Sequence, residues 1–479
     1  MTSSGINSRF TTSPPGSAYP AVAAEKRGAT PVNRVSTLLA VYLFLLFSRV
    51  LDVISLWRLH IPLILWLVLT LITLARGELQ FAFSSKVTRC FIAFTVWVIL
   101  CFPFSRWRAA SMQSIQSQVQ SLVIYLIIVQ TVRTKRDWQK IAGAFAYATL
   151  AVSLLAFHFG YVVEGRLSLP GGTLGDPNEF ALILVAGLPF WWSKANHATG
   201  LRKVFFLCCT LPIFVTFARA GSRAGLLAMA VLLFLSFIFA RGTQKILIPV
   251  LALIAVVAAT FLLPGYLQTR FTTIFSAEGS HDARLEDRLN SDIASSEARK
   301  ALLIQGIQIT FAHPIVGVGP GCFPYIARNE RIASGMFAGD ALVSHNTYTQ
   351  ISSETGLPGF FLFFTTVVLC VRSVLTDYRR LTLVDEELAQ YARYLFMSMA
   401  ALAIGIFFLS VGYAPMTAVI FAFAVALHNV VERSLKQPGN STAPKAPAWQ
   451  AAAFSNLKQR PYQTNQVRPR KRAWPEVSR

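Results

Sequence analysis

A histidine in a polar run is the first candidate for chemistry. In residues 344–361 (SHNTYTQISSETGLPGFF), His345 and Asn346 precede the polar run, and Gly356 and Gly359 then open a long apolar block. Histidine accepts and releases a proton near neutral pH, which makes His345 a candidate general base. The alternative is a structural histidine. Its place just before an apolar block favours chemistry on a membrane-bound substrate.

Two arginines lie between consecutive apolar blocks in FARAGSRAGLLA, at positions 219 and 223. Arg223 begins the second block, and the N-terminal end of a helix favours anions. A guanidinium with small neighbours suits a phosphate group, which it contacts through two hydrogen bonds. The alternative for Arg219 and Arg223 is an end-of-helix arginine that extends toward the membrane surface.

Two further segments carry charged residues at turns or helix starts. In GGTLGDPNEFALIL, the order Asp176-Pro177-Asn178 is typical of a helix start with proline at its first position. Asp176 either caps that helix or lines a polar cavity with Asn178 or Glu179. In SSEARKALL, Arg299 lies on a predicted helix, where the alternative is a solvated charge.

Composition identifies the class of protein that must position these residues. The 479 residues are 54% hydrophobic and only 14% charged, whereas soluble domains carry about 25% charge. The apolar residues occur in blocks near the length of about 20 that spans a bilayer. Backbone groups in lipid are satisfied within a helix, so each block must be helical. The sequence therefore predicts an all-α polytopic membrane protein.

Twelve apolar segments can be drawn, with one long interval after the ninth. They cover about residues 35–56, 59–75, 87–104, 115–132, 138–160, 179–193, 203–218, 224–240, 245–263, 357–375, 391–411 and 414–431. The predicted units are a disordered tail (1–33), helices one to nine (34–263), a large loop (264–356), helices ten to twelve (357–431) and a basic tail (432–479). The loop is too long for a simple connection.

The distribution of lysine and arginine predicts the orientation. With the N-terminus inside, the cytoplasmic loops carry most of these residues, including the run Arg133, Lys135, Arg136 and Lys140. Both tails are then cytoplasmic, and the large loop is periplasmic. The net charge of +22 follows from this bias, so no nucleic-acid partner is expected. The basic C-terminal tail is expected to contact anionic lipid headgroups.

The periplasmic loop is expected to contain short amphipathic helices at the membrane surface. EARKALLIQGIQITFAHP has apolar residues at helical spacing and ends at His313-Pro314. The glycines of GVGPG (317–321) lack the strand–helix unit of a dinucleotide site, so a packed turn is favoured. The six cysteines show neither disulfide nor zinc spacing, and no metal or cofactor is expected.

Taken together, these motifs resemble those of the O-antigen ligase and polymerase-like membrane proteins of bacterial surface-glycan assembly. HNTYTQISSETGLPG is similar to the family pattern of His, then Asn, nine residues, Gly, two residues and Gly. RAGLL is similar to the family's Arg followed by three residues and Leu, at Arg223 and Leu227. Arg299 occupies the family arginine before HPIVGVGPGCF, although Leu303 stands where the family often has an aromatic residue.

The resemblance implies a GT-C-like glycosyltransferase architecture in the bacterial inner membrane. The implied donor is a glycan on polyprenyl diphosphate, and the implied acceptor is a sugar hydroxyl on lipid A–core or another glycan. Arg223 and Arg299 would bind the diphosphate, and His345 would act as base in an inverting, metal-independent transfer. Arg219, Asp176 and Asn346 are further candidates to line the site. Other proteins of glycan assembly are candidate partners.

Three alternatives remain open from the sequence. A polysaccharide polymerase or a protein O-oligosaccharyltransferase would share the donor and differ in the acceptor. A secondary transporter also commonly has twelve helices, and Arg49 with Asp52 could mark an ion path or form a local pair. A non-catalytic scaffold in glycan export is the third. The sugar, the acceptor, processivity and oligomeric state do not follow from the sequence.

Overall fold

The computed structural model describes most of the helical part of the chain. The described residues are 33–77, 82–163, 165–170, 172–262, 265, 283–333 and 341–436, and the description covers only the backbone at 173, 255–256, 258–262 and 283–296. The predicted N-terminal tail (1–33) lies almost entirely outside the described residues. The C-terminal tail lies outside them from residue 437 onward, as do residues 264, 266–282 and 334–340 of the loop.

Sixteen α-helices and one β-hairpin make up the elements used below. The helices are α1 (Arg34–Ser48), α2 (Val50–Val53), α3 (Ile61–Ala75), α4 (Lys86–Leu100), α5 (Arg108–Thr131), α6 (Lys135–Phe159), α7 (Pro177–His197), α8 (Gly200–Cys208), α9 (Thr210–Ala220), α10 (Arg223–Phe239), α11 (Gln244–Leu262), α12 (Ala283–Ala312), α13 (Phe323–Ala333), α14 (Thr347–Leu381), α15 (Glu386–Gly405) and α16 (Pro415–Lys436). The antiparallel strands are β1 (Tyr161–Val163) and β2 (Arg166–Ser168).

The prediction of a helical, multi-pass membrane protein is confirmed at that level. Each predicted apolar segment coincides with helix, and eight stretches of the described chain are long and apolar enough to cross a membrane. They are α3 to α6, α8 with α9, α14, α15 and α16. Helices α1, α10 and part of α11 are apolar but shorter. The hairpin corrects the all-α prediction, because β1 and β2 pair between α6 and α7.

Helix α7 lies at the centre of the bundle, and its packing explains why its sequence is less lipid-like. It contacts α6, α9, α10 and α15, and most of its residues are buried. Aromatic side chains fill the space around it. Phe190 packs edge-to-face on Phe145 and Phe423, with ring centroids 5.4 and 5.7 Å away. Such edge-to-face pairs add to the free energy gained by burying the rings.

Polar contacts join several helices at one end of the bundle. Lys135 of α6 forms an ion pair with Asp385 at 3.4 Å, and Gln139 donates to Glu387 of α15 at 2.8 Å. Arg433 of α16 reaches the carbonyl oxygen of Arg133. These residues come from segments predicted to be cytoplasmic, so the helices alternate direction as the loop charges indicate.

Helix α14 differs from the predicted tenth helix because it begins ten residues earlier. It starts at Thr347, within the predicted loop, and bends at Gly356, whose φ of 72° and ψ of −176° are not helical. Pro358 follows two residues later and favours this break. The loop itself contains the 30-residue α12 as well as the short α13, and both pack on α14. His345 lies in the turn that immediately precedes the start of α14.

Candidate active site

The backbone around His345 is fixed by the start of α14. Asn346 is the N-cap, and its side-chain oxygen accepts from the backbone N–H groups of Tyr348 and Thr349 at 2.9 and 3.0 Å. Asn346 is buried and caps this helix, and its predicted role as a lining residue stays a prediction. His345 has a φ of 48°, a left-handed conformation that is uncommon outside glycine and concentrates at functional sites.

A second set of hydrogen bonds ties this turn to the loop between α15 and α16. Thr347 donates through Oγ1 to the carbonyl oxygen of Leu409 at 2.6 Å and accepts from the backbone N–H of Val411 at 3.1 Å. The hydroxyl groups of Ser344 and Ser410 lie 3.0 Å apart. The residues on both sides of His345 are therefore held by the loop between α15 and α16, which limits how far the backbone of His345 can move.

The environment of His345 places two other predicted residues close to it. Burial lowers the pKa of His345, the positive charge of Arg299 lowers this pKa further, and the negative charge of Asp176 raises it. Interactions between charges fall off with distance and with exposure to water. The structure therefore brings His345, Arg299 and Asp176 into one electrostatic neighbourhood, although they come from three distant segments.

Arg299 is held in this neighbourhood by the packing of α12 on α14. The hydroxyl groups of Thr310 and Ser352 lie 2.8 Å apart. Gly306 leaves room for Thr349, because a Cβ at position 306 would lie 3.1 Å from the Cβ of Thr349. Arg299 itself is half-buried, two turns before Gly306 on the same helix. Its side chain is engaged and is not a fully solvated charge.

Asp176 performs the capping role that its sequence context predicts. It is the N-cap of α7, and its Oδ1 accepts from the backbone N–H and the side-chain amide of Asn178 at 2.7 and 3.0 Å. Pro177 occupies the first helical position. Capping uses one carboxylate oxygen, while the negative charge still acts on His345. Asp176 therefore caps α7, and its role in lining a polar cavity stays a prediction.

Arg223 is linked to the same region through its neighbour Ser222. Ser222 is the N-cap of α10, and its hydroxyl donates to Asn178 Oδ1 at 3.0 Å. Arg223 is half-buried at the first position of α10, where the helix dipole favours an anion. Arg219, in the last turn of α9, is exposed. Its position agrees better with the alternative of a surface arginine.

Arg166 is a buried arginine whose role the sequence analysis did not identify. Its Nε donates to the carbonyl oxygen of Ala220 at 3.0 Å, and its Nη2 donates to Asn178 Oδ1 at 2.8 Å. It thus joins β2, the end of α9 and the start of α7. The available signal was an arginine in a loop predicted to lie outside, where the positive-inside bias disfavours it. Arg166 fixes the two turns that carry Asp176 and Arg223.

The GVGPG segment forms the packed turn that its sequence favours. Val318 and Gly319 donate through their backbone N–H groups to the carbonyl oxygens of Ser353 and Glu354 at 2.9 and 3.0 Å. Gly319, with a φ of 107°, lies so close to Ser105 that a Cβ would be 2.6 Å from its hydroxyl oxygen. This turn anchors the end of α12 to the bend of α14.

Glu354 completes this anchor from inside α14. It is buried, and its carboxylate accepts from the backbone N–H of Phe323 at 3.3 Å and from the hydroxyl of Tyr413 at 2.9 Å. Phe323 begins α13, so this hydrogen bond from its N–H also caps the N-terminus of that helix. Among the described side chains, no group of three or more histidines, cysteines or acidic residues has the geometry of a metal site.

Comparison with known proteins gives one family match. Residues 207–364 match the model of the family described as O-antigen ligase. This confirms the family resemblance that the motifs indicate, and the matched range includes Arg223, Arg299 and His345. Asp176 and Arg166 precede it. No curated protein matches the chain at a significant level.

Proposed function

Because residues 207–364 match the O-antigen ligase family, we propose that this integral membrane protein is a glycosyltransferase acting on a lipid-linked glycan. The donor is a glycan on polyprenyl diphosphate in the outer leaflet of the bacterial inner membrane. The acceptor is a sugar hydroxyl on lipid A–core or a similar glycolipid. The observation that carries the proposal is the electrostatic neighbourhood of His345, Arg299 and Asp176 at one end of the bundle.

The proposed transfer is a single displacement at the anomeric carbon of the donor sugar. His345 accepts the proton of the acceptor hydroxyl while the oxygen of that hydroxyl forms the new glycosidic bond with the anomeric carbon. The bond between the anomeric carbon and the diphosphate oxygen breaks, and both electrons leave with the diphosphate. Attack from the side opposite the leaving group inverts the configuration. The diphosphate is already a good leaving group.

Arg299 and Arg223 have the charge and position suited to that leaving group. Each lies half-buried, and Arg223 adds the N-terminal end of α10. Preorganised positive charge stabilises the transition state as negative charge grows on the bridging oxygen. Two guanidinium groups then take the part that a divalent cation plays in other diphosphate-using enzymes, so the proposed transfer is metal-independent.

Asp176 supports the proton transfer by stabilising the protonated form of His345. Once the imidazole has accepted the proton, its positive charge faces Arg299 and is unfavourable. The negative charge of Asp176 offsets this repulsion, as its effect on the pKa of His345 indicates. Arg166 is a positioning residue in this scheme, because it holds the turns that carry Asp176 and Arg223.

The direct test is transfer by the purified chain from a polyprenyl-diphosphate glycan, with the variant H345A. We expect at least a 100-fold fall in the rate, which is the usual contribution of a general base. H313A is the matched control, since His313 lies in the same loop at the end of α12 and should leave the rate unchanged. Full activity of H345A would overturn the role of His345 as base.

A polymerase or a protein O-oligosaccharyltransferase would use the same donor site with another acceptor. The family match favours enzymes of this type over the transporter or scaffold alternatives. The experiment identifies by mass spectrometry the glycosidic linkage that is present in the wild-type strain and lost in a deletion strain. This linkage distinguishes glycolipid, polysaccharide and protein products.

A further inference from the structure

Helix α12 carries an exposed row of large apolar side chains on the face turned away from the bundle. Ile304, Ile307 and Phe311 are 47%, 44% and 70% exposed, and Ile315, just beyond the helix, is 67% exposed. Their spacing of three or four residues places them in one line along the helix. These four residues are called the apolar stripe below.

The opposite face of α12 already has its partners within the protein. Leu302 and Ile309 are buried in a small core with Val318 and Phe323. Gln305, on the flank, donates to the carbonyl oxygen of Ala327 in α13 at 2.9 Å. Helix α12 is therefore apolar on two faces, and packing inside the chain accounts for one of them. The apolar stripe faces a second apolar environment.

The apolar stripe runs without interruption into the membrane-facing surface of α14. Its last residue, Ile315, packs its backbone against Gly356, and Leu357 donates through its N–H to the carbonyl oxygen of Pro314 at 2.8 Å. Phe361, one turn further along α14, is 58% exposed and lies in a stretch that qualifies as a membrane span. The stripe and the lipid-facing side of α14 are thus one continuous apolar surface.

Residue types around the apolar stripe match those of a membrane–water interface. Lys300 is exposed on α12 one turn before Ile304, where its ammonium group can reach lipid headgroups. Phe104 and Trp107 are exposed on both sides of Ser105, which packs against the GVGPG turn. Aromatic residues and lysines concentrate at this depth of a bilayer.

We propose that the apolar stripe is a membrane-docking surface that inserts into the outer leaflet, with lipid acyl chains as its occupant. Helix α12 then lies along the interface, with its buried face on α14 and its stripe in lipid. This placement holds Arg299, which lies on the same helix, at the depth of the headgroups. The continuity with α14 favours lipid over a second copy of the chain.

The test places a photo-crosslinking residue, p-benzoylphenylalanine, at single positions of the full chain. The protein is reconstituted in nanodiscs of phosphatidylethanolamine and phosphatidylglycerol and irradiated. The mass of the intact protein is then measured by mass spectrometry. Positions 307 and 311 probe the stripe, and position 361 is the lipid-facing reference. Position 329 is the matched control, because Asn329 is exposed on α13, across the buried flank of α12.

We expect adducts of phospholipid mass at 307, 311 and 361, and a yield at least tenfold lower at 329. A covalent dimer from 311 would show that a second copy covers the stripe and would overturn the proposal. Phospholipid adducts at 361 with none at 307 or 311 would overturn it as well. The measurement does not use glycan transfer, so its result is independent of the proposed enzymatic function.

Discussion

His345 lies between two charges of opposite sign, and their balance sets its protonation state. Burial and Arg299 lower its pKa, and Asp176 raises it by a smaller amount. The net pKa lies below the ordinary value of 6.5. A base must be neutral before it can accept a proton. The surroundings therefore keep the imidazole in its active form at neutral pH.

The acid side of the pH–rate profile follows from this direction. The neutral fraction of His345 falls as the pH falls through its lowered pKa, so the rate should reach half of its plateau value at a pH below 6.5. Once most of the histidine is protonated, we expect the rate to fall tenfold for each further pH unit. The check is kcat/KM for the donor across pH 4.5–8, because this ratio reports the pKa of the free enzyme. A half-maximal value at or above pH 6.5 would contradict the lowered pKa.

Substitution of the two neighbours should move this acid limb in opposite directions. D176N removes the charge that raises the pKa of His345, so the limb should shift to lower pH. R299Q removes a charge that lowers it, so the limb should shift to higher pH. We expect each shift to be on the order of half a pH unit or more, since charges at short range change pKa values by such amounts. The asparagine in D176N can still cap α7, so this variant removes the charge without removing the helix cap.

Profiles of kcat/KM against pH for both variants provide the measurement. R219Q is the matched control for R299Q, since Arg219 is exposed in the last turn of α9. Its limb should coincide with that of the wild type. Shifts of the same sign in D176N and R299Q would show that the two residues act through a general structural change.

The sequence identified the chemically active residue types better than their exact roles. His345, Arg299 and Asp176 were each selected from local motifs, yet their shared neighbourhood depends on tertiary packing, such as that of α12 on α14. Arg166 was missed as a site residue because its partners, Ala220 and Asn178, lie 54 and 12 residues away. Local pattern contains no information about such long-range hydrogen bonds.

At the scale of elements, apolar blocks predicted helices well because lipid leaves the backbone no alternative. Boundaries were less predictable. The segment 203–218 divides into α8 and α9 near Cys209, and α14 begins within the polar run before its apolar block. Burial against neighbouring helices, rather than lipid, stabilises the polar first turns of α14. A hydropathy pattern cannot detect that kind of burial.

Gly356 is the position where the bend of α14 depends most on a single residue. Its φ and ψ lie in a region that only glycine adopts readily, and a Cβ would approach the carbonyl oxygen of Ile315 to 2.2 Å. We expect G356A to lower the free energy of unfolding by about 3 kcal/mol or more, from backbone strain plus the clash. The measurement is thermal unfolding of the purified protein in detergent.

The matched control for this substitution is G242A. Gly242 also has a positive φ, of 56°, but a Cβ there meets nothing within 4 Å. Its cost should be limited to about 1 kcal/mol from the left-handed conformation. Equal losses of unfolding free energy in the two variants would mean that the clash between the added Cβ and Ile315 contributes nothing to the cost of G356A.

On the scale of the whole molecule, the length of α14 separates the two polar ends of the bundle. From its bend at Gly356 to Arg379, α14 runs for about 34 Å at 1.5 Å per residue. The hydrocarbon core of a bilayer is about 30 Å thick. His345 and the Lys135–Asp385 pair therefore belong to opposite faces of the membrane. The positive-inside bias predicts that the face with Lys135 is cytoplasmic.

This orientation can be checked with two exposed positions. Arg328 is exposed on α13, beside the candidate site, and Leu383 is 92% exposed in the turn after α14 at the other end. In intact cells, a membrane-impermeant maleimide should label R328C and leave L383C unlabelled; the native cysteines set the background. Disrupting the inner membrane should make L383C react. The reverse pattern would place His345 in the cytoplasm, away from an outer-leaflet donor, and would exclude the proposed transfer.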